Sequence, residues 1–247
     1  MNLIDSRKKA KVLILCEGPS DIAFIYMVLT KWLNCRYVDK NIQSKYQLIS
    51  INTKMTDDYA WYYNDDYFFM VCAVRGSGNY LNFTNKHFDM LTIDEYFNYY
   101  IIMRDRDNNT DEKIYKQFEN SKIKLTINDW MNNEFVNWSN DKFIIKSYLC
   151  VIPDDCEGCL EDLILESLTN EDDIRLSAIY YIDNLSEKER KYLNHVRDFK
   201  KAKVGVAFTL IDPQSTFSSF TSRISNIDID KETIINYLSF LKMFNIE

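Results

Sequence analysis

Residues 101–109 read IIMRDRDNN, and the interpretation of this chain starts from them. The apolar run from Tyr99 to Met103 predicts a buried strand, which ends in alternating charges and two asparagines. Open α/β sheets bind ligands where their parallel strands end, so a candidate site is expected here. In an extended chain Asp105 and Asp107 point to the same side, and their repulsion favours a divalent cation between them. The alternative is a polar turn in which each aspartate pairs with a neighbouring arginine or with solvent.

A second strand followed by a turn is predicted near the amino terminus. Residues 11–16 (KVLILC) form a short apolar run, and the sequence EGPSD follows it directly. Apolar residues then recur with the spacing of one helix face, and Ser20 or Asp21 can cap that helix. This order puts Glu17 at the carboxyl end of a strand, where it can share a crevice with the two aspartates. Gly18 is expected to let the backbone turn tightly beside the group that Glu17 binds.

The segments VLILCEGPSD and IIMRDRDNN together resemble the Toprim domain, the fold shared by topoisomerases, primases, small RNA-maturation nucleases and nucleases of the OLD family. The signature of that family is a glutamate in an E-G turn after the first strand and a D-x-D after the third. Between them the family has a strand that runs into a glycine-rich turn, and residues 69–79 (FMVCAVRGSGN) stand at that place. The resemblance covers residues 11–109, and residues 35–67 correspond to an insertion.

The resemblance implies an α/β fold and a division of the chain. We expect a mostly parallel four-stranded sheet flanked by helices, with an inserted β-hairpin region at about residues 35–67. Residues 142–152 (KFIIKSYLCVI) are the fourth predicted strand. Residues 1–169 would form this Toprim-like domain. The helical pattern of residues 170–247 predicts an α-helical carboxyl-terminal extension packed on it.

The resemblance also implies a metal site and phosphate-binding turns. Glu17, Asp105 and Asp107 would be the catalytic residues and would bind Mg²⁺ or Mn²⁺, although Glu17 could instead act as general acid or base. Glu161 follows the fourth strand and is the candidate ligand of a second ion, about 3.5–4 Å from the first, with helix capping as its alternative role. The glycine-rich turn could alternatively serve only to open the next helix. The candidates for phosphate binding are Gly18, Arg75, Gly76 and Gly78.

The remaining elements are predicted from periodicity and capping signals. A strand is expected at residues 46–52, a hairpin at residues 59–74, and helices at about residues 80–90, 111–120, 129–137, 159–168, 186–210 and 230–244. The aromatic cluster of the hairpin could stack nucleobases, but strand packing or a homodimer contact is the commoner role. A basic cluster could face a phosphate backbone, but a solvated helix surface is the favoured interpretation. Its members are Lys191, Arg197, Lys200, Lys201 and Lys203.

Composition limits the classes of protein to which the chain can belong. Its 247 residues, 46% hydrophobic and 27% charged, are typical of a globular protein with a substantial core. No apolar run is long enough to span a membrane and the start lacks a signal core, so we expect a cytoplasmic protein with no membrane partner. There the C-x-x-C of Cys156 and Cys159 is expected to stay as reduced thiols, with a zinc or redox pair as the alternative. The net charge of −7 argues against a general coat for nucleic acid, but not against a nuclease.

The leading hypothesis is a metal-dependent phosphoryl-transfer enzyme, a Toprim nuclease that cleaves DNA or RNA. Family association adds a role in defence against foreign nucleic acid. The second hypothesis is a non-catalytic Toprim module that binds a partner protein or a nucleotide, with an ATPase supplied separately. A third is primase-like nucleotidyl transfer. Loss of metal-dependent cleavage in Asp105→Asn would distinguish the first hypothesis from the second, and nucleotide incorporation would identify the third.

Overall fold

Strands and helices alternate along the first half of the chain, and helices dominate the second half. The computed structural model describes residues 9–39, 48, 58–89, 96–136, 140, 142–153, 156–215, 223–224 and 227–244. The strands are β1 (Ala10–Cys16), β2 (Arg36–Tyr37), β3 (Tyr59–Tyr63), β4 (Tyr67–Ala73), β5 (Tyr99–Asp105), β6 (Trp130–Val136) and β7 (Lys142–Ile152). The α-helices are α1 (Pro19–Trp32), α2 (Tyr80–Asp89), α3 (Asp111–Gln117), α4 (Leu160–Glu166), α5 (Asp172–Asp183), α6 (Glu187–Arg190), α7 (Val196–Ile211) and α8 (Lys231–Tyr237). Short 3₁₀ helices span Ser77–Asn79, Thr169–Glu171, Pro213–Ser215 and Ser239–Phe244.

The strands form one seven-stranded sheet in the order β2-β3-β4-β1-β5-β7-β6. Strand β1 pairs in parallel with β4 and β5, and β5 pairs in parallel with β7. Towards the two edges the pairing is antiparallel, between β2 and β3, between β3 and β4, and between β6 and β7. The predicted α/β class is confirmed. The sheet, however, is mixed and has seven strands rather than the predicted four, because β3, β2 and β6 add to its edges.

Helices cover both faces of the sheet because its central strands are apolar on both sides. Val12, Ile14 and Cys16 of β1 belong to one hydrophobic core, which also contains residues of α1, α4, α5, α7 and α8. Leu13 and Leu15 belong to a second core with residues of α2 and α3. The carboxyl-terminal helices therefore share a core with the sheet.

The aromatic residues of the predicted hairpin pack inside the protein. Trp61, Tyr62, Phe68 and Phe69 are buried, and the ring of Trp61 stacks on Phe97 with 5.9 Å between the ring centroids. For these four residues, strand packing is the observed role, since nucleobase stacking requires an exposed ring.

Strand β6 corrects the helix that was predicted at residues 129–137. It pairs with β7 along its whole length at the edge of the sheet. Its sequence (WMNNEFV) lacks a regular alternation of apolar residues. The buried Asn133 is held by polar bonds, since its amide group binds the backbone N–H of Lys124 (2.7 Å) and the hydroxyl of Ser147 (2.9 Å).

The helix predicted at residues 186–210 is interrupted between α6 and α7. The carboxylate of Asp198 accepts hydrogen bonds from the backbone N–H groups of Asn194 (3.0 Å) and His195 (2.9 Å). These bonds cap a new helix, because they satisfy N–H groups that have no partner within it. Arg197 therefore lies in the first turn of α7.

Two further predictions concern the ends of the chain and its insertion. The helix predicted at residues 230–244 is α8 followed by a 3₁₀ helix. The strand predicted at residues 46–52 lies outside the described residues except for Leu48, which is buried. Across the described ranges of the chain, no helix is long and apolar enough to cross a membrane.

Candidate active site

Two carboxylates meet at the edge of the sheet where parallel strands end. Glu17 directly follows β1, and Asp105 is the last residue of the neighbouring strand β5. Glu17 is 7% exposed and Asp105 is 4% exposed. Burial makes an ionised carboxylate costly unless a donor or a cation accompanies it. The contacts of these two residues are therefore informative about the site.

Arg197 contacts both carboxylates. Its Nη2 donates to Oδ2 of Asp105 (2.8 Å), and its Nη1 lies 3.4 Å from Oε2 of Glu17. The guanidinium reaches the site from α7, 92 residues from Asp105 and 180 from Glu17 in sequence. In this structure, an arginine occupies the place between the two acids that the sequence assigned to a divalent cation.

The start of α4 fixes the position of Asp105. Its Oδ1 accepts a hydrogen bond of 2.8 Å from the backbone N–H of Leu160, the first residue of α4. The amino end of a helix favours a negative charge because its first N–H groups have no partner within the helix. Both oxygens of Asp105 therefore have a donor.

Asp21 and Glu161 lie within electrostatic reach of Arg197 and complete an acidic cluster with Glu17 and Asp105. Both are buried, and the sequence had indicated Asp21 only as a helix cap. Oε1 of Glu17 and Oε2 of Glu161 are buried and have no hydrogen-bond partner among the described residues. Buried carboxylate oxygens without a donor are unusual, and here they give the site unused capacity to bind a cation.

Burial raises the pKa values of three acids in this cluster. Burial raises the pKa of Glu17, although the charge of Arg197 acts to lower it. Burial also raises the pKa of Asp21, to about 6. The pKa of Asp105 rises well above its usual value through burial and through the charges of Asp21 and Glu17. Burial acts to lower the pKa of Arg197, but the charges of Asp105, Glu161, Glu17 and Asp21 raise it. Arg197 thus interacts with four carboxylates, and the charge of Arg104 also acts to lower the pKa of Glu17.

Asp107 does not lie beside Asp105 as an extended chain would place it. Strand β5 ends at Asp105, and Asp107 is exposed with a φ of 53°. Its backbone N–H and C=O instead pair with Gly158, at 2.7 and 3.0 Å. This left-handed turn is the reason that the predicted geometry is wrong. Burial is the main cause that raises the pKa of Glu17, and the charge of Asp107 raises it further. Asp107 therefore lies within electrostatic reach of the site.

The glycine-rich turn lies against Glu17. The backbone N–H of Gly76 donates to the carbonyl oxygen of Glu17 at 3.0 Å. Gly76 has a φ of 108°, which L side chains rarely adopt, so a glycine is needed there. The side chain of Arg75 binds Asp58 at 3.0 Å. The structure therefore brings the backbone of this turn to the site, while the guanidinium of Arg75 has an ion-pair partner outside the cluster.

Gly18 and Gly78, the other two phosphate candidates, border open space. A Cβ added to either residue would have no described atom within 4 Å. Gly18 has a φ of −151°, an extended conformation that any residue adopts, so the predicted tight turn does not explain this glycine. Its N–H donates to Asp21 (2.8 Å) in this structure. Gly18 thus leaves open space next to Glu17, but its N–H group is already bonded to Asp21 and is not free to bind a phosphate.

Helix α7 supplies residues that the sequence did not assign to the site. Besides Arg197, it carries Lys200, whose Nζ lies 2.6 Å from Oδ2 of Asp162. The favoured prediction of a solvated basic surface is therefore wrong for Arg197 and Lys200, whereas Lys201 is exposed. A signal was available in the helical spacing, because both residues continue the face of α7 that is formed by the buried residues Val204, Ala207 and Phe208.

The donor chemistry of the site fits a hard divalent cation. Within the part of the chain that the structure describes, no three His, Cys, Asp or Glu side chains are grouped closely enough to hold a metal ion. The carboxylates of Glu17, Asp105 and Glu161 nevertheless offer the oxygen ligands that Mg²⁺ and Mn²⁺ bind, and two of these oxygens have no described partner. These three residues could hold such an ion after a change at Arg197.

Cys159 of the C-x-x-C pair directly precedes α4 and lies within electrostatic reach of Glu161 and Asp105. None of the six cysteines of the chain is in a disulfide. Cys156 is exposed, whereas Cys159 is buried, and burial raises the pKa of the Cys159 thiol. Because a thiol with a raised pKa is a poor nucleophile and a poor metal ligand, this environment disfavours a redox role for Cys159.

Fold and site together define an α/β protein with a buried acidic cluster at the carboxyl ends of parallel strands. The chain belongs to a known family, because the family model described as "Protein of unknown function (DUF3226)" matches residues 11–244. A solved structure, the hypothetical protein PH0156 from Pyrococcus horikoshii OT3, is similar to this chain with a TM-score of 0.48 and 13% identity. The match covers 95% of this chain and 98% of that one. No curated protein matches the chain significantly.

Proposed function

We propose that this protein is a metal-dependent phosphoryl-transfer enzyme, a nuclease of the Toprim type that cleaves DNA or RNA phosphodiesters. One observation carries the proposal. Glu17 and Asp105 lie at the carboxyl ends of two adjacent parallel strands and share the guanidinium of Arg197, while one buried oxygen of Glu17 and one of Glu161 have no partner among the described residues. A cluster with this excess of negative charge is suited to binding divalent ions.

The resemblance to Toprim domains supports the same proposal. The Glu-Gly turn after β1, the glycine-rich turn after β4 and the D-x-D at the end of β5 follow the order of that family. We propose that β4, β1, β5 and β7 correspond to its sheet, with residues 1–169 as the Toprim-like domain and residues 170–247 as the helical extension. In this interpretation the extension contributes Arg197 and Lys200 to the site.

Glu17, Asp105 and Glu161 would hold Mg²⁺ or Mn²⁺, with Asp107 at the rim. When bound, such an ion neutralises charge on the phosphate and makes a bound water more acidic. The protein itself keeps the carboxylates in place. The N–H of Leu160 orients Asp105, and the N–H of Gly76 binds the backbone of Glu17. Backbone donors thus hold the two carboxylates in place for an ion, whereas Arg197 has to change position.

A second candidate function is a non-catalytic Toprim module that binds a partner protein or a nucleotide, with an ATPase supplied separately. One observation favours it. Arg197 already contacts both Glu17 and Asp105, so these acids have a cation without any metal. The net charge of −7 also gives no general attraction to nucleic acid.

A cleavage assay tests the proposal. The purified full-length protein is incubated with single- and double-stranded DNA and RNA in the presence of Mg²⁺, Mn²⁺ or EDTA. The proposal predicts metal-dependent cutting that falls at least about 100-fold in the Glu17→Gln/Asp105→Asn double variant. Glu119→Gln is the matched control, since Glu119 is exposed and lies outside the cluster.

Each result of this assay has a distinct meaning. Cutting that survives the double variant would reject the proposed site. Binding of Mn²⁺ in calorimetry without any cutting would favour the second function or a missing partner. If the protein neither cuts nor binds Mn²⁺, the metal-dependent function is rejected.

A further inference from the structure

Arg197 holds an unusual place for a cation in a proposed metal site. It contacts Asp105 at 2.8 Å and Glu17 at 3.4 Å. Its Nε is buried and has no hydrogen-bond partner in the described part of the chain. The two terminal nitrogens of the guanidinium thus contact the acids, but its third nitrogen, Nε, is buried without an acceptor among the described residues.

The charges around Arg197 are not balanced. The charges of four carboxylates act on Arg197, whereas the other cations include Arg104, whose charge acts on Glu17, and Lys200, which is engaged with Asp162 at 2.6 Å. Oε1 of Glu17 and Oε2 of Glu161 have no described donor. A site with this excess of negative charge attracts a cation of higher charge than an arginine.

A divalent ion that binds Asp105 would need an oxygen that Arg197 already contacts. Oδ1 of Asp105 accepts the N–H of Leu160, and Oδ2 contacts the guanidinium, whereas Glu17 still has an open oxygen, Oε1. The side chain of Arg197 is 38% exposed, so it can turn towards solvent without passing through the core. Helix α7 would stay in place meanwhile, because Val204, Ala207 and Phe208 are buried.

We propose that Arg197 and a divalent cation compete for Glu17 and Asp105, and that the displaced guanidinium then binds the phosphate of the substrate beside Lys200. This inference rests on the proposed function and adds the group that recognises the phosphate. Lys200 lies one turn further along α7, on the same side as Arg197. A guanidinium can bind two phosphate oxygens at once, and the lysine adds a second positive charge.

The competition is measured by titrating Mn²⁺ into the full-length protein in a calorimeter. Arg197→Met removes the charge and keeps an unbranched side chain, and it is expected to bind Mn²⁺ about tenfold more tightly than the wild type or better. Arg197→Lys retains a charge with fewer contacts and should give a smaller gain. Lys201→Met, an exposed residue of the same helix, is the control and should bind Mn²⁺ like the wild type.

The second half of the proposal is measured with inorganic phosphate, titrated into the Mn²⁺-saturated protein. We expect binding to the wild type and to Lys201→Met, and binding at least about tenfold weaker to Arg197→Met. Equal phosphate affinity in all three proteins would reject the role of Arg197 in phosphate binding. Circular dichroism checks that each variant is folded. If Arg197→Met does not fold, the same phosphate titration is carried out with Arg197→Lys.

Failure of this inference can be told apart from failure of the proposed function. If the wild type binds Mn²⁺ and Arg197→Met binds it equally or more weakly, the competition is rejected while the metal site stands. If no variant binds Mn²⁺, both the competition and the metal-dependent function are rejected.

Discussion

Asp21 and Asp162 occupy the same position in two different helices. Each is the third residue of its helix, α1 or α4, and each accepts a hydrogen bond of 2.8 Å from the backbone N–H of the residue that precedes that helix. Their surroundings differ, since Asp162 contacts Lys200 at 2.6 Å whereas Asp21 is 6% exposed and lies near other acids. One acid therefore has a cation of its own, and the other shares the arginine of the site.

This difference predicts that Asp21→Asn stabilises the metal-free protein. Burial, followed by the charges of nearby acids, raises the pKa of Asp21 to about 6, so the ionised form is disfavoured in the folded state. The variant should gain about 1–3 kcal/mol of unfolding free energy at about pH 7.5, measured by urea denaturation. The gain should disappear as the pH falls from about 6 to about 4, because wild-type Asp21 then becomes protonated in the folded state.

Asp162→Asn is the matched control for this prediction. It keeps a side-chain acceptor for the N–H of Cys159 but loses the ion pair with Lys200, so it should not stabilise the protein. A loss of stability in Asp21→Asn at about pH 7.5 would contradict the prediction that the ionised form of Asp21 is disfavoured in the folded state.

His87 should make the protein less stable in mild acid. It is 5% exposed among aromatic rings, its two ring nitrogens have no partner in the described ranges, and burial lowers its pKa to about 4. An unfolded chain takes up this proton below about pH 6.5, whereas the folded protein does not, so falling pH favours unfolding. Between about pH 7.5 and 5, the wild type should therefore lose about 2 kcal/mol from this residue.

His87→Phe tests that expectation by comparing urea denaturation at the two pH values. The phenylalanine fits among Phe83, Phe88 and Phe97 and should remove the loss, so His87→Phe should gain about 2 kcal/mol relative to the wild type between about pH 7.5 and 5. His195, the other histidine, is exposed, so His195→Gln should retain the dependence of the wild type. Equal pH dependence in His87→Phe and the wild type would contradict the prediction.

Gly158 and Gly205 should respond in opposite directions to replacement by alanine. A Cβ at Gly158 would lie 2.7 Å from Cδ of Pro153 and 2.9 Å from Oδ2 of Asp162, so Gly158→Ala should cost about 1–3 kcal/mol of unfolding free energy. Gly205 is inside α7 with no described atom within 4 Å of that position. Gly205→Ala should therefore add about 0.5–1 kcal/mol.

Thermal unfolding of these two variants provides the measurement. The loss in Gly158→Ala is expected because the added Cβ would crowd Pro153 and Asp162, while Gly158 is also paired with the backbone of Asp107. A melting temperature of Gly158→Ala at or above that of the wild type would refute the crowding around Gly158.

Mn²⁺ should stabilise the protein and EDTA should reverse the effect. A ligand that binds only the folded state adds about 1.4 kcal/mol at a concentration of about ten times its dissociation constant. Glu17→Gln should abolish this stabilisation, since it removes a charged ligand that faces Arg197. Glu119→Gln should retain it, and thermal unfolding with and without Mn²⁺ measures both. Equal stabilisation of Glu17→Gln and the wild type would remove Glu17 from the metal site.

Local sequence patterns predicted much of the fold. Strands β1, β4, β5 and β7 each contain a run of at least four apolar residues, so their burial on both faces could be inferred before their partners were known. Strand β6 was missed because it lies at an edge of the sheet and lacks a regular apolar pattern. Its polar residue Asn133 can be buried there because hydrogen bonds satisfy its amide group. The break between α6 and α7 was missed because a capping aspartate, Asp198, looks like any other charge on a helical surface.

The sequence by itself indicated that Glu17 and Asp105 each stand at the carboxyl end of a buried strand, because apolar runs followed by acids are typical of the carboxyl edge of a parallel sheet. Only the tertiary structure decided which groups surround them. Arg197 reaches both acids across 92 and 180 residues, and a contact between residues so distant depends on how α7 packs on the sheet. Local spacing carries no information about that packing, so a guanidinium, and not only a metal ion, had to be considered as the cation between the two carboxylates.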